Sequence, residues 1–163
     1  MVREPQQVLD LIIRPITPLL MMGKPEFRDN QEFFMTYVGA VESGFDNLRQ
    51  VLDSGNYGKG HGWWQMEPDT FDDNVNKLNE FPDLKETILK ACCLDSMPGK
   101  DVMIWNIRFA YSMARFHFWR YPEPLPKKDD IEGMANYWLK YYNRGGKGTV
   151  ERFVTIAKSL NLK

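Results

Sequence analysis

The chain has 163 residues, of which 43% are apolar and 13% aromatic. This length predicts one domain, residues 1–163, with a substantial core, and the composition excludes a disordered or low-complexity protein. The net charge of −1 provides no global field to recruit nucleic acid or an anionic membrane, so we expect neither as a partner.

The first apolar stretch is VLDLIIRPITPLLMM, residues 8–22. It contains Asp10, Arg14 and two prolines, so it is too short and too charged to span a bilayer. It also lacks the small-residue cleavage site of an export signal. We therefore expect an N-terminal helix over 8–22 with a break near Pro15, synthesis in the cytoplasm without a signal peptide, and no membrane insertion.

The next segment predicts a central, buried helix. Asp29 followed by Glu32 resembles a capping box, and Gly44 can close the helix at its other end. The residues between these positions leave little polar face, which is typical of a helix surrounded by the core.

A glycine-rich segment follows, DSGNYGKGHG over 53–62, which suits a loop or a small hairpin. Further helices are expected at 69–80, 83–95, 101–120, 129–142 and 149–161. Adjacent Cys92 and Cys93 rarely reach disulfide geometry, so no covalent link is expected. The predicted fold class is mainly α, with one short β-like excursion.

Metal and cofactor signals are weak. The two histidines, His61 and His117, lack the spacing of a known metal site, and His117 lies in an aromatic segment that favours a structural role. There is no G-x-S-x-G motif, phosphate loop or dinucleotide fingerprint. The sequence therefore predicts no metal and no cofactor.

Glu42 is the main candidate for a catalytic group. It occupies the last turn of the predicted buried helix, where the helix dipole and apolar neighbours both disfavour a charged carboxylate. Both effects raise its pKa, as a general acid requires. The alternative is a solvent-facing glutamate at a frayed helix end, which the VESG sequence alone favours.

The glycine-rich segment delivers Trp63, Trp64 and Gln65 together. Aromatic rings suit the C–H faces of sugars, and an amide suits their hydroxyl groups. This pattern favours a sugar-binding role, and the alternative is that both tryptophans belong to the core.

Four short motifs then occur in a fixed order: Glu42-Ser43, Gly62-Trp63-Trp64-Gln65, Asn106-Ile107 and Tyr142-Asn143-Arg144-Gly145. This order resembles the lysozyme-like superfamily, and specifically the soluble lytic transglycosylases and goose-type lysozymes. The resemblance spans roughly 33–148. It implies a lysozyme-like helical domain with a catalytic core over about 29–148 and a C-terminal helix over about 149–161.

A second resemblance spans nearly the whole chain. The segments that carry it are IIRP, GWWQMEP, PEPLP and YYNRGGKGT. They are similar to a family of small phage and prophage proteins, in which Leu and its neighbour usually stand where Trp63 and Trp64 do. The resemblance implies a transglycosylase-like domain made for virions or lysis. Its implied partners are peptidoglycan strands and other virion or tail proteins, and its implied site of action is the bacterial periplasm or cell wall.

Carried over, Glu42 would protonate the oxygen between N-acetylmuramic acid and N-acetylglucosamine and then act as a base. The residues expected at the substrate are Ser43, Trp63, Trp64, Gln65, Tyr142 and Asn143. Ordinary glycosidases need two carboxylates, and the candidates for a second are Asp53 and Glu67. Because neither is well supported, the resemblance favours a transglycosylase, which manages with one.

Two readings remain open beside the enzyme. One is an inactive virion, tail or adaptor protein that keeps the lysozyme-like fold, since fold does not fix function. The other is a sugar-binding module, which would keep the tryptophans and have no need of Glu42.

Overall fold

Helices dominate the computed structural model, which describes residues 4–163. Nine α-helices and two strands are present in these residues: α1 (Pro5–Val8), α2 (Arg14–Ile16), α3 (Arg28–Ser43), β1 (Arg49–Val51), β2 (Tyr57–His61), α4 (Pro68–Leu78), α5 (Pro82–Ala91), α6 (Val102–Trp105), α7 (Ile107–Trp119), α8 (Ile131–Tyr141) and α9 (Val150–Ser159). The mainly-α prediction with a short β excursion after α3 is confirmed.

The N-terminal helical segment runs from 5 to 20 rather than from 8 to 22. A π-helical turn (Leu9–Ile13) joins α1 to α2, and a 3₁₀ turn (Thr17–Leu20) follows. The expected break near Pro15 is wrong, because the widened turn, in which Arg14 N–H donates to Leu9 O, carries the chain through the proline. Within residues 4–163, no helix is long and apolar enough to cross a membrane.

Helix α3 is buried on nearly every side, as predicted. The ring of Phe34 packs edge-on against Phe118 and Tyr137, with centroids 4.8 and 5.6 Å apart. Gly39 makes room for the ring of Phe45, since a Cβ there would lie 2.4 Å from Phe45 Cε1. This close approach brings the chain that leaves α3 back across the helix.

The predicted C-terminal end of α3 is confirmed, whereas the predicted N-terminal cap is wrong. Gly44 closes the helix in a left-handed conformation, φ +62°, with its N–H on Ala40 O, as expected. The capping box is wrong, because Asp29 lies inside the helix and no side chain caps its start. Glu32 is instead buried, with its carboxylate 3.7 Å from the guanidinium of Arg14.

Strands β1 and β2 form an antiparallel hairpin that pairs Arg49 with His61 and Val51 with Tyr57. The chain then folds back at Gly62, whose N–H donates to Leu48 O at 2.8 Å. The hairpin thereby returns the following residues to the end of α3.

The prediction of one long aromatic helix over 101–120 is wrong, because the chain forms two helices, α6 and α7, with a break at Asn106. There the backbone turns to φ −100°, ψ 92°, and the side chain caps α7 by accepting from Phe109 N at 3.0 Å. The same amide donates to Cys92 O at 3.1 Å. Cys92 and Cys93 are both free thiols.

Gly62 has the strictest steric requirement in the hairpin region. Its φ is +70°, and a Cβ would lie 2.6 Å from the backbone oxygen of Met103. We expect Gly62→Ala to lose about 1–2 kcal/mol of unfolding free energy from the left-handed backbone and roughly 1–3 kcal/mol more from the clash. Gly55→Ala is the matched control, since its φ is +80° with nothing within 4 Å. Equal melting temperatures for the two variants would show that the contact with Met103 is not limiting.

Candidate active site

Two cavities meet at Glu42, the residue before the end of α3. One, of about 430 Å³, is lined by Tyr121, Tyr141 and Tyr142, and we call it the tyrosine cavity. The other, of about 600 Å³, is lined by residues 50–53 of the hairpin, and we call it the hairpin cavity. The residues that line both are Glu42, Gln65, Glu67, Asn143 and Gly146. A ligand that fills both cavities therefore passes over Glu42.

The carboxyl of Glu42 is held in place and partly desolvated. The indole N–H of Trp138 on α8 donates to Glu42 Oε1 at 2.8 Å. Burial raises the pKa of Glu42 to about 7, against the opposing effects of that hydrogen bond and of the nearby Arg152 cation. Glu42 therefore keeps a proton near neutral pH and can give it to a bound oxygen.

The side-chain amide of Asn143 is near enough to Glu42 to lower the pKa of its carboxyl. Its Oδ1 accepts from the N–H of Gly148 at 3.1 Å, which leaves the amide NH₂ as the group that can donate to the carboxyl. Glycines make this packing possible, since a Cβ at Gly146 would lie 2.3 Å from Asn143 Oδ1. The glycine-rich segment before α9 thus fixes an amide against the acid.

The hydrogen bond from Trp138 gives a testable contribution to the acidity of Glu42. We expect Trp138→Phe to raise the pKa of Glu42 further, because an aromatic ring is kept while the indole N–H, a donor to the charged form, is lost. Titration of ¹³C-labelled glutamate side chains by NMR measures the shift. Trp105→Phe is the control, because Trp105 is 68% exposed. An unchanged Glu42 pKa in Trp138→Phe would mean that the indole does not stabilise the carboxylate.

Tyr142 lines the tyrosine cavity, and both its hydroxyl and its ring have partners within the protein. The hydroxyl donates to Trp64 O at 2.5 Å, and the ring stacks on Phe118 at 5.2 Å. Burial, with the negative charges of Glu42 and Glu67, raises the pKa of Tyr142 well above its usual range. The phenol therefore stays neutral beside the acid.

Gln65 has a left-handed backbone, φ +51°, uncommon for a residue with a side chain. Its Nε2 donates to Gly62 O at 2.7 Å and to Asn47 O at 3.1 Å. No donor among residues 4–163 occupies its Oε1. Because Gln65 lines both cavities, this oxygen is the atom suited to accept a hydrogen bond from a ligand hydroxyl.

The prediction that Trp63 and Trp64 lie at the substrate is wrong. Their exposed fractions are 2% and 1%, so neither ring has a free face for a sugar. The indole of Trp64 donates to Met35 O of α3 at 2.9 Å, which ties it to the core. Apolar rings of this size bury wherever a core is available, and Phe45 packs against both.

Ser43 is a positioning residue rather than a contact for a ligand. It is 8% exposed and lines neither cavity. Its hydroxyl donates to Trp63 O at 2.7 Å and accepts from Phe45 N at 3.1 Å. Ser43 therefore links the end of α3 to the segment that carries Gln65.

The two candidates for a second carboxylate occupy different places. Glu67, exposed at the start of α4, lines both cavities, and its charge contributes to the raised pKa of Glu42. Asp53 is exposed and lines the hairpin cavity alone. Of the two, Glu67 is the one beside the acid.

Sequence reasoning missed Trp138 and Arg152. Trp138 is 1% exposed, and Arg152 donates to Val41 O at 3.0 Å. The available signal was that a tryptophan on an apolar helix face needs an acceptor for its N–H once it is buried. Its partner, 96 residues away, could not be read from spacing.

Among residues 4–163, no group of three or more His, Cys, Asp or Glu side chains could hold a metal ion. His117, which lines the tyrosine cavity, is 6% exposed and donates from Nε2 to Tyr141 O at 2.7 Å. Its role in the described structure is to hold the end of α8. Comparison with protein-family models, curated proteins and solved structures gives no match to this chain.

Proposed function

We propose that this chain is a bacteriophage lytic transglycosylase of lysozyme-like fold, which cleaves the β-1,4 bond between N-acetylmuramic acid and N-acetylglucosamine in peptidoglycan. The observation that supports it most is the carboxyl of Glu42, with a pKa of about 7, at the junction of two cavities. An acid that is protonated near neutral pH and is reached from both sides suits cleavage within a polymer.

In this proposal the glycan strand lies through both cavities, with the bond to be broken over Glu42. Gln65 and Asn143 line both cavities, so they are placed to contact sugars on either side. The neutral Tyr142 ring offers its face to a pyranose in the tyrosine cavity. The cavities are large enough for such subsites, since ligand pockets typically have volumes of about 300–1,000 Å³.

The reaction begins with proton transfer from Glu42 to the glycosidic oxygen as the bond from this oxygen to C1 of N-acetylmuramic acid breaks. The acetamido group of the same sugar stabilises C1, so no second carboxylate is needed. The 6-hydroxyl then bonds to C1 and returns its proton to Glu42. The product is a 1,6-anhydro sugar, and no water is consumed.

Zymography on peptidoglycan tests the proposal. We expect a clearing zone from the unmodified chain and none from a folded Glu42→Gln variant. No clearing from either, with wall binding retained by both, would favour a sugar-binding protein.

The phage origin rests on the sequence resemblance alone, and it predicts that proteomics of purified virions detects the chain.

The mechanism with one carboxylate makes a separate prediction. We expect Glu67→Gln to keep activity within about tenfold of the unmodified chain, since general acid–base groups contribute about 10²–10⁴-fold and Glu67 is not one. Asp53→Asn is the paired variant, because Asp53 is the other candidate for a second carboxylate and lines only the hairpin cavity. Rates of muropeptide release measure both. A loss in Glu67→Gln as large as that in Glu42→Gln would favour a hydrolase with two carboxylates.

A second candidate function is a virion structural or adaptor protein without activity. The burial of Trp63 and Trp64 supports it, because it removes the tryptophan platforms expected for sugar binding. This candidate predicts neither clearing nor wall binding, together with detection of the chain in purified particles.

A further inference from the structure

A third cavity, of about 390 Å³, is lined by a different set of residues. Its walls are the segment 23–31, the end of α7, the proline-rich connector 121–127 and Tyr137 of α8. Most of the lining is apolar, including Phe27, Phe118 and Trp119. We call it the arginine cavity, after the buried residue at its wall.

That residue is Arg115 of α7, which is only 5% exposed. Its Nε donates to Gln31 Oε1 and its Nη2 to Met22 O, both at 3.3 Å. No carboxylate of residues 4–163 forms an ion pair with it, whereas buried Glu32 has Arg14 at 3.7 Å. A guanidinium does not lose its charge in proteins, so Arg115 is a buried cation without a counter-ion.

The unused donors of Arg115 form one edge of the guanidinium. No described residue accepts from Nη1, and Nη2 has a second N–H beyond the one given to Met22 O. Gly23 keeps the backbone close to this edge, because a Cβ there would lie 2.2 Å from Gln31 Nε2 and 3.4 Å from Arg115 Nη2. Nη1 and one N–H of Nη2 are thus left as donors for a ligand in the cavity.

The other charges of the lining favour an anion. Lys24 and Lys127, both exposed, add positive charge. The only carboxylate in the lining is Glu123, which already accepts from Lys140 Nζ at 2.6 Å and from the hydroxyl of Tyr141. The cavity therefore combines a buried cation without a counter-ion, a basic rim and an apolar wall.

We propose that the arginine cavity binds a carboxylate that carries an apolar or aromatic body, with its two oxygens on the free edge of Arg115. A carboxylate pairs with a guanidinium through charge-assisted hydrogen bonds, frequently two at once. Its single charge neutralises one guanidinium, and the body lies against Phe27, Trp119 and the connector. A small organic acid and the carboxylate at a peptide C-terminus share this chemistry. The site is separate from Glu42 and does not depend on the proposed function.

The first test uses matched probes on the unmodified chain. We expect 3-phenylpropionate to bind in calorimetry and 3-phenylpropionamide to bind at least tenfold more weakly. In NMR spectra, the acid should shift backbone amides of residues 23–31 and 119–127. N-acetyl-Gly-Phe and its C-terminal amide form the peptide arm, and tighter binding of this peptide acid than of phenylpropionate assigns the site to peptide ends. Equal binding of acids and amides, or no shift in these residues, would overturn the proposal.

The second test uses variants. Arg115→Gln should weaken phenylpropionate binding at least tenfold, and Phe27→Ala, at a residue 53% exposed, should weaken it several-fold. Trp105→Ala is the control, because this exposed aromatic residue lines none of the three cavities. Unchanged affinity in a folded Arg115→Gln would refute the site. If that variant does not fold, the acid–amide comparison and Phe27→Ala decide.

Discussion

Replacing Glu42 by glutamine is expected to slow peptidoglycan cleavage by roughly 10²–10⁴-fold, the usual contribution of a positioned general acid. Glutamine keeps the size of the side chain and can still accept from the indole of Trp138, but it has no proton to give to the glycosidic oxygen. The rate of muropeptide release from purified sacculi measures the effect. Binding to sacculi should persist, because Gln65, Tyr142 and Asn143 are unchanged.

Glu86→Gln is the matched control for this experiment. Glu86 is exposed on α5 and lines none of the cavities described above. We expect it to keep the rate of the unmodified chain. A folded Glu42→Gln variant that binds and cleaves at the same rate as Glu86→Gln would remove Glu42 from the mechanism.

The second large effect is on stability as a function of pH. The pKa of Glu42 is about 7 in the folded chain against 4.5 for an unperturbed glutamate, so the folded state binds this proton more tightly. Glu42 therefore contributes stability that is fully present below pH 4.5 and is lost as the pH rises through 7. The loss amounts to up to about 3 kcal/mol, at about 1.4 kcal/mol for each pKa unit.

Glutamine at position 42 does not titrate, so the variant should lack this loss. The unfolding free energy of Glu42→Gln relative to the unmodified chain should rise by up to about 3 kcal/mol between pH 4.5 and 8. His117, whose pKa burial lowers to about 4, acts with the opposite sign, since its stability is lost as the pH falls below 6.5. Both proteins carry His117, so its contribution cancels in the difference between their unfolding free energies. Urea unfolding across this range gives the curve, and a difference that does not change with pH would show that Glu42 titrates normally.

The fold was predictable where local signals agree with packing. Gly44 ends α3 as expected, and the boundary expected between the helices at 69–80 and 83–95 falls at Pro82, which begins α5. A left-handed cap and a missing N–H fit those positions wherever the rest of the chain goes. The continuity of the helical segment through Pro15 was not predictable, since a π turn needs only a shifted hydrogen bond. The break at Asn106 depends on the carbonyl of Cys92, which sequence spacing does not reveal.

For the candidate site, too, some residues could be predicted from the sequence and others could not. Glu42 could be proposed because a carboxylate in the last turn of an apolar helix is expected to have a raised pKa. The VESG sequence alone favours a solvent-facing glutamate, and the motifs that follow it in the chain shift the prediction towards a catalytic acid. The burial of Trp63 and Trp64 could not be predicted, since a core position and a sugar platform both require a large ring. Trp138 and Arg152 depend on pairings across 96 and 111 residues, which only the folded chain establishes.

Mass spectrometry of the products released from purified sacculi tests the central claim most directly. The measurement compares the unmodified chain with Glu42→Gln, using preparations that melt cooperatively. We predict that the unmodified chain releases mainly 1,6-anhydro muropeptides and that Glu42→Gln releases almost none. Release of only reducing-end muropeptides would replace the transglycosylase by a hydrolase. No release by the unmodified chain, or equal release by the variant, would contradict the assignment of Glu42 as the catalytic acid.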